Sequence, residues 1–363
     1  MRTILVTGAG GLVGSAVTRH FANLGWYVVA IDNNERELFF GPEASTLPSL
    51  RAIADEFPKN VLTLYCDVAS ERDVGALFDA LVASGDLPDA IVHAAAQPSH
   101  DKAADIPKRD FMVNAYGTLN LLQAAREHCP EAPFVFMSTN KVYGDSPNNE
   151  PFHEEPSRYE WDRILYGDGY QGSSSHSGWS ERRSVDQTTH SLFGCSKLAS
   201  DQYVQEYGRY FGMQTVCLRA GCLTGGAHAG APQHGFLAYL AKCIVRGIPY
   251  TIEGYRGKQV RDNLHADDVA RFCEYFIDAP RSAEVYNLGG GFENSCSILE
   301  AMLAISQAAG KTPPTVVFRD QPRKGDHRVY YSDLRKIKEH YPKWSVTRDL
   351  PSIYAELVER WRQ

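Results

Sequence analysis

Residues 6–14 read VTGAGGLVG, with Gly8, Gly11 and Gly14 at GxxGxxG spacing. The stretch begins within the apolar run TILVTG (3–8) and runs into a helical pattern that starts at Leu12, so its glycines sit between a strand and a helix. That context decides the fold. Glycine permits a tight turn and lets the backbone approach a pyrophosphate. The helix that follows presents unpaired N–H groups and a partial positive charge to the phosphates. Gly8, Gly11, Leu12, Val13 and Gly14 are therefore expected to hold a dinucleotide. Asp32 ends the next strand, at the distance expected for a carboxylate that accepts from the adenosine ribose hydroxyls. Its charge repels a 2′-phosphate, so NAD is favoured over NADP, and Asn33 follows it. Asp67 and Val68 close the third strand, where they bracket an adenine. Ala94, Ala95 and Ala96 close the fourth, small enough for the chain to pass close to the cofactor. His93 is read as a packed structural histidine.

Outward from the loop, short apolar runs alternate with amphipathic helical stretches. TILVTG, YVVAID, VLTLYCD, AIVHAAA and FVFMST read as strands, separated by helices such as Leu12–Leu24 and Glu71–Ser84. Fully apolar strands in a βαβα rhythm indicate an α/β fold: a Rossmann-type, doubly wound parallel sheet covered by helices on both faces. The rhythm breaks from about Ser146 to Thr189, a polar stretch rich in aromatics, Gly and Ser. It is too long for an ordinary connection, so a functional loop or lid is expected. The expected division is a cofactor domain over 1–190, carrying the insert at about 146–190. A helix over 193–211 and a strand over 214–220 return to it. A smaller C-terminal α/β substrate domain takes most of 221–363, some of whose segments also return to the first domain.

The bulk numbers exclude some functions. In 363 residues the apolar fraction is 43%, the charged fraction 22% and the net charge −7. An acidic chain of this kind does not offer a general nucleic-acid surface. No apolar stretch reaches the length of a membrane span. The N-terminus enters a strand at once, so no signal peptide is expected. The eight cysteines are scattered with no CxxC pair, so they are read as small buried apolar residues in a reducing, cytoplasmic setting, and no metal is called for.

FMSTNKVYGD (136–145) closes the next strand and brings Ser138, Thr139, Asn140 and Lys141 to the crevice where sheet ligands bind. Lys197 lies four residues after Phe193, so the two share a helix face. An ammonium beside a phenol lowers the phenol's pKa and also bonds the nicotinamide ribose. A lowered pKa suits a general base for alcohol oxidation.

These residues carry a resemblance. With VNAYGTLNLLQAA (113–125), GKQVRDNLHADDVA (257–270), VYNLGGG (285–291) and PRKGDHRVYYSDLRKI (322–337), the chain resembles an extended short-chain dehydrogenase/reductase over nearly its whole length. That class holds nucleotide-sugar epimerases, dehydratases and decarboxylases. STNKVYGD, GCSKLASDQY and GKQVRDNLHADD are most similar to the CDP-tyvelose (CDP-paratose) 2-epimerases. The resemblance implies a tightly held NAD, a nucleotide-sugar substrate, a homodimer and a Ser/Thr–Tyr–Lys triad. Thr139 and Lys197 match two triad members, and Asn114 matches the helix asparagine that supports the site.

Phe193 departs from the pattern. It stands at the tyrosine of YxxxK, and a phenyl ring neither takes nor gives a proton. Three readings stay open: a deliberate Tyr→Phe exchange that traps substrate, an enzyme that recruits another base, and a natural NAD-binding protein without turnover. Tyr143 and Tyr166 are the candidate substitute phenols, although Tyr143 is better read as structural. Dehydratases of the class carry an acid pair after the threonine, and Asn140 and Lys141 replace it here. Elimination loses its carboxylates, and what remains suits reversible oxidation. Lys141 is expected to orient a hydroxyl or the diphosphate. Arg261 is the first choice for the diphosphate, followed by Arg328 and Arg323. Gln97 is expected at the sugar, and Tyr159, Trp161, Tyr166, Tyr170 and Trp179 over sugar or base or at a subunit contact. The leading expectation is C2 epimerisation of a CDP-hexose. C4 epimerisation, simple reduction and a non-catalytic NAD sensor are the alternatives.

Overall fold

A computed structural model describes residues 1–162, 178–227 and 235–362. The chain forms two compact units. The first comprises Met1–Thr139, Leu192–Arg219 and Val269–Tyr286. The second comprises Asn140–Ser191, Ala220–Asp268 and Asn287–Gln363.

The first unit is built on a seven-stranded sheet. Its early strands are β1 (Thr3–Thr7), β2 (Tyr27–Asp32), β3 (Val61–Tyr65), β4 (Ala90–His93) and β5 (Phe134–Thr139). The order is Glu284–Leu288, Thr215–Ala220, β5, β4, β1, β2, β3. β1 pairs in parallel with both β2 and β4, β2 with β3, and β4 with β5. This is the doubly wound order whose crevice opens at the carboxyl ends of β1 and β4, where the strand order reverses. β1 is buried along its whole length, as a central parallel strand between two helical layers must be. β3 is the edge, and its Tyr65 is 75% exposed.

Local signals place the helices. Glu71–Ser84 starts at Ser70, whose side chain accepts from the Asp73 N–H at 3.2 Å. It carries Glu71 and Asp73 in its first turn and stops at Gly85 with φ +79°. Cap, acidic first turn and left-handed glycine are the three ordinary devices for bounding a helix. Val74, Leu77, Phe78 and Leu81 face the core, which also holds Leu121, Phe134, Phe136 and Val204.

The second unit has its own core. Helices Phe236–Arg246, Ile298–Ala309 and Leu350–Arg362 pack through Leu240, Ile244, Met302, Ile305, Ile353 and Leu357. Ser297 and Glu300 form a reciprocal capping box at the start of the middle helix. Strand Val260–His265 pairs antiparallel with Ser295–Ser297 and parallel with Val329–Tyr330 and Cys222–Thr224.

The break in the sequence rhythm has an outcome different from the one expected. Residues 140–191 belong to the second unit and not to the cofactor domain. The Trp161 and Trp179 rings, expected over a ligand or at a subunit contact, are 6% and 2% exposed. They lie 6.1 Å apart, with the Tyr331 ring 4.7 Å from Trp161. Trp179 donates its backbone N–H to the Tyr331 carbonyl at 2.8 Å and accepts from the Asp333 N–H at 3.0 Å. Arg158 bridges Glu160 at 2.9 Å and the Ser295 hydroxyl at 3.0 Å. The aromatics are long-range core, a role that local polarity hides. Tyr166 and Tyr170 lie outside the described residues.

Truncating Trp161 to Ala should therefore cost the second unit about 3–5 kcal/mol, the usual range for a buried tryptophan. Urea titration followed by far-UV circular dichroism reads this out, and a loss below about 1 kcal/mol would remove the ring from the core.

Candidate functional site

The glycine turn is packed against backbone on two sides. Gly8 has φ +66°, and a Cβ there would lie 2.7 Å from the Ala95 nitrogen. A Cβ on Gly14 would lie 2.1 Å from the Gly8 carbonyl oxygen. A Cβ on Gly11 would meet only that same oxygen, at 3.2 Å, and otherwise open space. Gly11 is also the N-cap of helix Leu12–Asn23, with no side chain capping it and Leu12 and Val13 half-buried behind it. An uncapped helix start with an open, side-chain-free approach has the geometry and partial charge that suit an anion. Ala94, Ala95 and Ala96 leave β4 half-buried beside the turn, where the Ala95 N–H donates to the Thr7 hydroxyl at 3.0 Å.

At the end of β2, Asp32 organises its own loop. Oδ2 accepts from the Gly10 N–H at 2.9 Å, and Oδ1 from the Asn34 N–H and the Thr46 hydroxyl, both at 2.8 Å. Asn33 turns onto Glu35, accepting its N–H at 3.1 Å. Asp67 accepts the Ala69 N–H at 3.0 Å, and Val68 beside it is buried. Arg109 joins these loops by donating to Glu35 Oε2 at 2.6 Å and to Asp67 Oδ2 at 2.8 Å. Sequence reading missed Arg109 and Glu35. Separations of 74 and 42 residues leave no local signal for such a bridge.

Below the crevice, Asn114 is the hub. It sits in a π-helical turn over Met112–Tyr116, which leads into helix Gly117–His128. Its side chain accepts from the Gln97 N–H at 2.9 Å and donates to Gln97 O, Asp110 and the Ser196 hydroxyl at 3.1–3.2 Å. Its backbone carbonyl accepts from the Thr118 and Ser200 hydroxyls at 2.6 and 2.7 Å. Gln97 does not present itself to a sugar as expected. It is fully buried, donates to Ser99 O and Asp110, and accepts from the Ser99 N–H, so its side-chain bonds are spent on the loop.

Helix Leu192–Phe211 carries Phe193 and Lys197, 8% and 3% exposed. The Lys197 Nζ lies 4.1 Å from the Phe136 ring centre on β5. Burial pushes the Lys197 ammonium down to about 7, against Asp201, Cys217 and Asp110, which favour the charge. Asp201 already holds Arg219 at 2.8 Å and the Ser138 hydroxyl at 2.6 Å, and Asp110 holds Gln97 and Asn114. Thr139 ends β5 half-buried, one residue beyond Ser138. His93 is structural, as expected: fully buried, it bonds Thr7 at 2.7 Å and Thr118 at 3.0 Å. Since Thr118 spends its proton on Asn114 O, the network puts the His93 proton on Nε2. Burial, then Lys197, push its pKa to about 3, so the ring is neutral.

The second unit holds a separate cation cluster. Lys141 Nζ donates to Gly325 O at 2.9 Å and approaches Asp326 at 3.4 Å. Arg261 donates to the same carboxylate and to His327 O, both at 2.5 Å, and to Val260 O at 2.6 Å. Asp326 was not anticipated. Arg328 lies over the Phe152 ring at 3.7 Å. Asn140 is buried at the start of the segment. The Tyr143 hydroxyl donates to Asn287 at 2.8 Å from a fully buried ring, which makes it structural; Tyr166 is not among the described residues.

An uncapped helix start behind a glycine turn, a carboxylate closing β2 and a buried lysine on the helix beside β5 are the features of a dinucleotide-binding fold of the epimerase and dehydratase class. The chain belongs to the NAD dependent epimerase/dehydratase family, whose model matches residues 4–163 and 164–289. It is 30% identical to the CDP-paratose 2-epimerase of Salmonella typhi, over 97% of this chain and 98% of that protein. It is 27% identical to a dTDP-glucose 4,6-dehydratase of Salmonella typhimurium, over 98% and 91%. The structure of the Thermus thermophilus UDP-glucose 4-epimerase in complex with NAD matches with a TM-score of 0.72 at 26% identity, covering 99% of both chains. NAD fits the residues present: the Gly11 approach for pyrophosphate, Asp32 for ribose, and the β3 and β4 exits beside them.

Lys197 makes a pH prediction. Its folded pKa is lowered from 10.5 to about 7, so above about 7 the unfolded chain binds the extra proton and stability rises with pH up to about 10.5. Lys197→Met should therefore stabilise the NAD-free protein. The gain should be full below about pH 7 and fade toward pH 10.5. Chemical denaturation across pH 6–10 reads it, and a gain independent of pH would refute the buried charge.

Proposed function

We propose that this chain is built as an NAD-dependent nucleotide-sugar epimerase that inverts C2 of a CDP-hexose, with Thr139, Phe193 and Lys197 at the reacting carbon. NAD supplies a hydride acceptor and donor that ends each cycle unchanged. Thr139 orients the sugar hydroxyl. Lys197 bonds the nicotinamide ribose and sets the charge of the site. Gly8, Gly11, Leu12, Val13, Gly14, Asp32, Asn33, Asp67, Val68, Ala94, Ala95, Ala96, Asn114 and Ser138 form or support the cofactor's bed. Lys141 and Arg261 bind the diphosphate, which displaces Asp326 from them, and Arg328 adds charge beside them.

The observation that carries this reading is the pair Phe193 and Lys197, both buried on one helix face, with Lys197 fixed over Phe136. An ammonium in so dry a place serves little structural purpose. C2 is supported by the CDP-paratose 2-epimerase relative, and the loss of elimination by Asn140 and Lys141 in place of an acid pair. The exchange of tyrosine for phenylalanine keeps the shape of the site and deletes its proton acceptor, so the chain as it stands is an inactive form by the phenol route. That same feature is what a non-catalytic NAD sensor would show. The protein is further proposed to act in the cytoplasm as a homodimer.

Phe193→Tyr separates the two. The tyrosine variant should interconvert C2 epimers of a CDP-hexose about 10²–10⁴-fold faster than the parent, the usual worth of a positioned acid–base group. Product analysis by NMR reads the carbon inverted. No conversion of any CDP-, GDP-, UDP- or dTDP-hexose would leave the sensor, and net NADH consumption would make the protein a reductase.

A further inference from the structure

Arg109 stands where the adenosine half of the cofactor is expected, and neither the sequence motifs nor the family match assigns it a task. It rises from the short helix Pro107–Phe111. Its Nη2 donates to Glu35 Oε2 at 2.6 Å and to Asp67 Oδ2 at 2.8 Å, and its Nε donates to Glu35 Oε1. Glu35 lies three residues past Asp32, at the start of the short helix Glu35–Phe40 that follows β2. Asp67 lies in the loop after β3. These two segments carry the expected ribose and adenine contacts, so one guanidinium ties both walls of that end of the crevice.

The bridge differs from an ordinary surface ion pair, which contributes little. It is forked on Glu35 and shared with Asp67, and the side chains are only 33%, 14% and 21% exposed for Arg109, Glu35 and Asp67. Its root is also fixed. Asp110, the next residue, is 1% exposed and bonded to Gln97 and Asn114, so the helix that carries Arg109 is held to the hub beneath the crevice. Without the arginine, two carboxylates would face each other across the loops with nothing between them. Pairing with Glu35 holds the guanidinium firmly protonated.

We propose that Arg109 is a positioning residue that latches the β2 and β3 loops through Glu35 and Asp67, so that seated NAD leaves only when this bridge opens. The latch rests on NAD binding alone and not on the sugar or the reaction assigned above. An epimerase that takes hydride and returns it gains from a cofactor that stays.

The test is retention, not turnover. The parent protein, Arg109→Met, Arg109→Lys and Glu35→Gln are loaded with radiolabelled NAD and diluted into excess unlabelled NAD. Arg109→Met should release label about tenfold faster or more, since such losses appear in the off-rate. Arg109→Lys should fall between, because an ammonium cannot span both carboxylates with a planar fork. Raising salt from about 0.05 to about 0.5 M should speed release from the parent and leave Arg109→Met unmoved, as screening acts on the bridge. A purely structural bridge would lower the melting temperature of the NAD-free protein without this salt signature. If Arg109→Met does not fold, Glu35→Gln decides, because it weakens the fork while Asp67 stays bonded. Release within about twofold of the parent in the folded variants, or parent release indifferent to salt, overturns the latch.

Discussion

A Cβ on Gly14 would stand 2.1 Å from the Gly8 carbonyl, and one on Gly8 would stand 2.7 Å from the Ala95 nitrogen. These two contacts press the exit of β1, the start of helix Leu12–Asn23 and the exit of β4 into one knot of bare backbone. Any side chain at either glycine must pry the helix or β4 away from the turn. The knot sets the direction of the helix dipole and the height of the Ala94–Ala96 floor together. The adenosine loops and the Asn114 hub are arranged around this fixed point, and so the crevice is a rigid feature of the sheet end.

The chemistry sits on a second constraint, an ammonium kept out of water. Lys197 faces an aromatic ring, and its nearest carboxylates are committed to other partners. Asp201 is neutralised by Arg219 and Asp110 is clasped by two amides, so each lends Lys197 only a distant field. Such an arrangement costs stability in the empty protein. A ribose hydroxyl or a phenolate beside the ammonium would offset that cost. The phenylalanine at 193 removes one of the two, leaving the cofactor as the natural partner of the charge.

Much of this was legible in the sequence because it is local. The glycine turn, the carboxylate at the end of β2, the capped helix Glu71–Ser84 and the i, i+4 relation of Phe193 and Lys197 depend on neighbours a few residues apart. What was not legible depends on contacts that cross the chain. Trp161, Arg158 and Trp179, in the polar, aromatic stretch expected as a loop or lid, pack on Tyr331, Ser295 and Asp333, which lie more than a hundred residues away. Gln97 read as a sugar contact because only the fold shows Ser99, Asp110 and Asn114 closing around it. Arg109 and Asp326 were invisible for the same reason, since a charge reveals its role only when its counter-charge is in place.

The wide turn at Met112–Tyr116 has a consequence for how this molecule can change. An extra residue in the turn swings the Asn114 carbonyl out of the ordinary ladder, free for two hydroxyls, and sets the phase at which the next helix meets its neighbours. Shortening that segment by one residue would regularise the winding and return the carbonyl at this point to the ordinary ladder, away from the Thr118 and Ser200 hydroxyls. A one-residue deletion here would thus weaken the support beneath the crevice while leaving the glycine turn and the Lys197 helix untouched in sequence.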